Sequence, residues 1–97
     1  MLTPKQRKIL EAKANPIDAA FQIGKGGITD NFVESLNDAL RSRELVKISV
    51  LKNSQTDAKE LIGGLAALTA AEAVAVRGGK IVLYKYSDKD GINHILQ

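Results

Sequence analysis

Apolar and polar positions alternate along the chain in two rhythms, one helical and one extended, and each change of rhythm falls at a turn or cap residue. Thr3-Pro4-Lys5-Gln6 reads as a helix start, with Thr3 as N-cap, Pro4 at the first helical position and Gln6 closing a capping box. This helix is expected to run to about Lys13, with Ile9 and Leu10 turned inward and Lys5, Arg7, Lys8 and Lys13 left outside. Asn15-Pro16 ends it, because the residue before proline is pushed out of the helical region. A strand follows over residues 18–23. Thr29 caps a second helix, in which Phe32, Val33, Leu36, Ala39 and Leu40 share a face. The alternation in LVKISVL (45–51) predicts a strand. A third helix is expected over residues 57–69 on Leu61, Ile62, Leu65 and Leu68, where Gly63 and Gly64 suggest tight packing against a neighbour. In AVAVRGGKIVLYKY two β-rich runs meet at Gly78-Gly79, the pattern of a two-residue hairpin.

The order is therefore helix, strand, helix, strand, helix, strand, strand. Strand-helix-strand units favour parallel crossovers and the hairpin adds an antiparallel strand. The expected fold is a two-layer α/β arrangement, a mixed four-stranded sheet with helices packed on it. Ninety-seven residues make one domain of residues 1–97, with an ordered core over about 3–86. The end of the chain is polar apart from Ile92, Ile95 and Leu96, and the pattern leaves open whether it docks.

Composition narrows the chemistry. With no cysteine, the chain has no disulfide framework, thiolate zinc site or cysteine nucleophile, which suits a reducing cytoplasm. The N-terminal residues turn polar at once and no apolar run approaches the ~20 residues of a membrane span, so neither a signal peptide nor a membrane helix is expected. The net charge of +3 is uneven: five Lys/Arg face two acids over residues 1–29, five face six over 30–60, and four face three over 61–97. The excess lies at the N-terminal end, beside the glycines, where it suits a polyanion partner, although a charge this modest also serves solubility alone.

Candidate sites centre on QIGKGGIT (22–29), where a strand gives way to a helix. There Gly24, Gly26 and Gly27 let backbone N–H groups and the positive end of the helix dipole meet a phosphate, and Lys25 adds a full charge. The same glycines would also serve a tight turn alone. A Walker loop needs Ser or Thr after its Gly-Lys pair, where Gly26 stands, and a dinucleotide fingerprint needs glycine where Thr29 stands. The loop does match G-x-x-G, the spacing with which KH-type proteins clamp an RNA backbone. Arg7 and Lys8 on the first helix and Arg41 and Arg43 at the end of the second are further candidate phosphate contacts. Phe21 and Phe32 fall at core positions, and Tyr84 and Tyr86 are expected in the core or as cover for the hairpin edge. Backbone and shape recognition with little base readout is the expectation. His94, the one histidine, is expected in a solvated tail, and with Asp88 and Asp90 it makes neither an acid-base site nor a metal site. No catalytic residue, metal site or cofactor is expected.

FQIGKGGIT (21–29), ALRSRELVKI (39–48) and RGGKIVLYK (77–85), in this order and spacing, resemble the CRM domain of the bacterial YhbY-like RNA-binding proteins. The likeness extends from LTPKQRKIL to Tyr86. It implies a fold like the C-terminal domain of translation initiation factor three, RNA binding through the G-x-x-G loop, and association with precursors of the large ribosomal subunit. The reading is thus a cytoplasmic, non-enzymatic RNA-binding protein, more readily a monomer, acting on ribosomal RNA. A protein-interaction module and a small phosphate-ligand-binding protein are the alternatives.

Overall fold

The computed structural model describes residues 2–96. Three helices and four strands follow in the expected order: α1 (Pro4–Ala14), β1 (Phe21–Ile23), α2 (Asp30–Arg43), β2 (Leu45–Val50), α3 (Ala58–Thr69), β3 (Glu72–Arg77) and β4 (Lys80–Tyr84). Each helix starts on a side-chain cap. The Thr3 hydroxyl accepts from Gln6 N–H at 3.1 Å while the Gln6 amide oxygen accepts from Thr3 N–H at 3.0 Å. Thr29 accepts from Phe32 N–H and Asp57 from Glu60 N–H in the same manner.

The sheet order is β1-β2-β4-β3, with β1 parallel to β2 and the remaining pairs antiparallel. The β3–β4 hairpin enters with β4 beside β2, so β3 ends up parallel to β2 one strand away. Gly78 and Gly79 make its turn with φ of 53° and 79°, a two-residue geometry that only residues tolerant of positive φ adopt cheaply. β1 is shorter than the expected 18–23, because only residues 21–23 pair in register with β2.

Side chains alternate across the sheet. Val46, Ile48, Ile81 and Leu83 face one way, onto Leu36 and Leu40 of α2 and Leu65 of α3. Leu45, Val82 and Tyr84 face the other way, with Val74, onto Leu10 and Ala14 of α1. The expected two layers are thereby refined: α2 and α3 cover one face, and α1 lies on the other. Between Ala73 and Ala75 the β3 register slips at a β-bulge, and the Arg7 guanidinium donates to the carbonyls of Ala73 and Val74 there.

Several expectations are corrected. Ile9 is 38% exposed, because the buried stripe of α1 is the i, i+4 pair Leu10 and Ala14. Leu68 is 58% exposed, since α3 turns Leu65 and Thr69 inward and leaves Leu68 at the flank. Gly63 and Gly64 pack against nothing: a Cβ built on either meets no atom within 4 Å. Tyr84 is buried as expected, but Tyr86 is 61% exposed and lies outside the core.

The segment after β4 docks on the rest of the fold. Glu44, at the C-cap of α2 with φ 65°, is fully buried, and its carboxylate accepts from Ser87 N–H at 2.7 Å and Ile95 N–H at 2.9 Å. His94 Nδ1 lies 2.7 Å from the same carboxylate, so the histidine is a half-buried anchor and not a solvated tail residue. Ile95 and Leu96 pack against the α1-side core.

Candidate nucleic-acid interface

Residues 24–27 form a β-turn at the C-terminal end of β1, closed by a hydrogen bond from Gly27 N–H to Gly24 C=O at 3.0 Å. Lys25 and Gly26 are its tip, both exposed. The three glycines are there for different reasons. A Cβ on Gly24 would stand 3.2 Å from Asn53 Oδ1, the tip of an exposed side chain, so the position is tight but its neighbour can give way. Gly27 has φ 68°, which costs a residue with a Cβ about 1–2 kcal/mol. Gly26 has neither reason: its φ is not positive and a Cβ there meets nothing within 4 Å. The backbone requires glycine at position 27, position 24 is tight, and the fold gives no reason for glycine at position 26.

The topology decides what surrounds this turn. Because β1 and β2 are parallel, both end here, and Leu51 N–H donates to Ile23 C=O at 2.8 Å. The β3–β4 turn reaches the same end, where Val50 N–H donates to Gly79 C=O at 2.7 Å. Three turns therefore meet at one end of the sheet, hereafter the loop end, and carry the exposed cations Lys25, Lys52, Arg77 and Lys80. Arg77 also reaches Glu11 of α1 at 3.4 Å, an exposed pair worth little to stability. Behind Arg77 and Lys80 a cavity of about 110 Å³ continues onto the α1 face, with Lys47 on its wall. Lys47 itself donates to the carbonyls of Ala14 and Ile17. The N-terminus of α2 faces the loop end too, although Asp30 in its first turn already answers part of the dipole.

The residues singled out from sequence divide. Gly24, Lys25, Gly26 and Gly27 form the exposed turn. Arg7 is occupied at the β3 bulge on the sheet edge away from β1, and Lys8 is exposed on α1. Arg41 and Arg43 close α2 at the opposite end of the sheet, roughly 20 Å away along a fourteen-residue helix at 1.5 Å per residue. Lys52, Arg77 and Lys80 were missed. Their signal was a cation flanking a turn, but only the parallel pairing of β1 with β2 and the placing of β4 beside β2 bring those turns together.

Among the described residues no group of three or more His, Asp or Glu side chains could hold a metal ion, and no helix is long and apolar enough to cross a membrane.

A small mixed sheet with helices on both faces and a cation-rich glycine turn at the head of one helix defines the class of α/β domain. Residues 2–85 match the CRS1/YhbY (CRM) domain family, and the chain belongs to it. It is 40% identical over 90 residues to the Bacillus subtilis protein named "Probable RNA-binding protein YqeI", covering 93% of this chain and 94% of that one. A Haemophilus influenzae protein named as RNA-binding is 26% identical over 88 residues, covering 91% and 89% of the two chains. The solution structure of a Staphylococcus aureus protein, described as a candidate RNA-binding protein, superimposes with a TM-score of 0.78 at 46% identity, over 93% of this chain and 94% of that one.

Proposed function

We propose that this chain binds RNA, and that the 24–27 turn with the α2 N-terminus grips the phosphate backbone while Lys25, Lys52, Arg77 and Lys80 neutralise it. The observation that carries this reading is Gly26, a glycine at an exposed, cationic tip where the fold has no use for one. Missing side-chain bulk there lets a phosphate backbone come within hydrogen-bonding reach of the main chain. The RNA-binding names of the relatives support the same partner. In this reading Arg7 acts indirectly by holding the β3 bulge, and Lys8 is an outlying contact. By the family likeness the RNA is ribosomal, in precursors of the large subunit, and the protein works in the cytoplasm without catalysis.

The test is the affinity for a large-subunit ribosomal RNA fragment as a function of salt, for the wild type and for Lys25→Ala combined with Gly26→Asp. Submicromolar binding that weakens with salt and drops at least tenfold in the variant, with unchanged circular dichroism, is expected. Equal binding by both proteins would overturn the loop as the grip.

A further inference from the structure

The opposite end of the sheet carries an aromatic that the fold leaves unexplained. Tyr86 stands 61% exposed just after β4, and its ring stacks on His94 with centroids 4.3 Å apart and planes 13° from parallel. Tyr86 Oη lies 3.2 Å from His94 Nε2, but in parallel rings that separation runs across the imidazole face, so the contact is a stack and not an in-plane proton relay. His94 is in turn fixed by the buried Glu44 carboxylate. His94 thus backs one ring face while Tyr86 as a whole stays largely exposed. Arg41 lines the same cleft, tied to the platform through Ser87, whose hydroxyl donates to Arg41 C=O at 2.6 Å. Asp88 lines it too.

We propose that Tyr86, backed by His94 and flanked by Arg41, is a second RNA contact that receives one unpaired base. This rests on the RNA-binding reading above. A pre-set aromatic loses little freedom when a base settles on it, and stacking accepts any base because each has a π-face. Asp88 disfavours a phosphate directly on the platform, whereas Arg41 at the rim suits the phosphate of the stacked nucleotide. The two ends lie roughly 20 Å apart, or about six nucleotides at 3.4 Å each, so an RNA whose paired stem sits at the loop end reaches Tyr86 with a flanking single strand.

The experiment compares one RNA hairpin, blunt or carrying single-stranded extensions, in binding to the wild type, Tyr86→Ala and Tyr86→Phe. The extended RNA is expected to bind the wild type and Tyr86→Phe roughly tenfold more tightly than the blunt one, and Tyr86→Ala is expected to lose that advantage while binding the blunt hairpin as before. The chain has no tryptophan, so Tyr86→Trp adds a single indole whose fluorescence should be quenched by the extended RNA alone. If the extension gives no advantage, or Tyr86→Ala keeps it, the platform is only a clasp for the chain end. Blunt-hairpin binding abolished by Gly26→Asp would then still stand for the loop. Binding to neither RNA overturns both.

Discussion

Glu44 is the residue on which most of the tail end depends. Its backbone sits at φ 65°, a region costly for a residue with a Cβ, and its carboxylate is fully buried. Burial, the largest influence on this group, pushes its pKa up, but the Ser87 N–H, His94 and the Ile95 N–H outweigh it and hold the carboxyl below its ordinary value. Glu44→Ala strands two backbone donors and the His94 anchor, so a loss of about 2–4 kcal/mol is expected. A thermal melt should show it as a drop of at least about 8 °C. The sign of the pH effect follows from the lowered pKa: the ionised form is favoured in the folded chain. That contribution is complete above the ordinary value of 4.5 and disappears as pH falls through the lowered one. Urea unfolding at a series of acidic pH values should therefore show a wild-type loss that Glu44→Gln lacks. Tyr84 works in reverse, raised by burial and then by the Glu44 charge, so its contribution is intact below 10.0 and lost as pH climbs through its raised value.

Helix α3 carries two glycines that neither pack nor take positive φ. Each costs the helix about 1 kcal/mol relative to alanine. Gly63→Ala and Gly64→Ala should each raise the melting temperature by about 4–8 °C without altering RNA affinity. A lower melting temperature would mean that α3 needs these glycines for its own packing, and weaker RNA binding that the RNA lies on this helix face. The end of α3 shows the converse, since Ala70 sits in the left-handed region (φ 56°) where glycine is the usual cap, and Ala70→Gly should stabilise by a few tenths of a kcal/mol or more in a denaturant titration. The same contrast separates the turn glycines: Gly26→Ala should leave stability unchanged and weaken RNA binding, whereas Gly27→Ala should cost stability as well.

Over the whole molecule the fold collects charge that the sequence disperses. Lys25, Lys52, Arg77 and Lys80 lie up to 55 residues apart in sequence, yet three turns bring them to one end of the sheet. If all four neutralise phosphates of a duplex, the log-log salt slope should approach about −3.6, and removing any one cation should reduce it by about 0.9. Lys52→Ala and Lys80→Ala should therefore act like Lys25→Ala in a salt titration. Uniform slopes across the three variants and the wild type would place the RNA elsewhere.

Capping and short-range pattern are local, and they were legible. Thr3 with Gln6, Thr29, the alternation over 45–50 and the glycine pair at 78–79 each determine an element through contacts within a few residues, so element order and the glycine turn could be read from the chain. Burial is a property of the assembled layers, and sequence misjudged it where two faces compete: Ile9 and Leu68 follow helical spacing but fall beside the stripe that the sheet covers. Gly24, Gly26 and Gly27 look alike in sequence, and only their surroundings reveal that Gly27 needs a positive φ, Gly24 stands in a tight contact and Gly26 has neither constraint. The fate of the last residues was invisible for the same reason. Their partner, Glu44, lies some 50 positions earlier, and its carboxylate becomes an acceptor for Ser87 and Ile95 only once α2, β2 and β4 have excluded water from it.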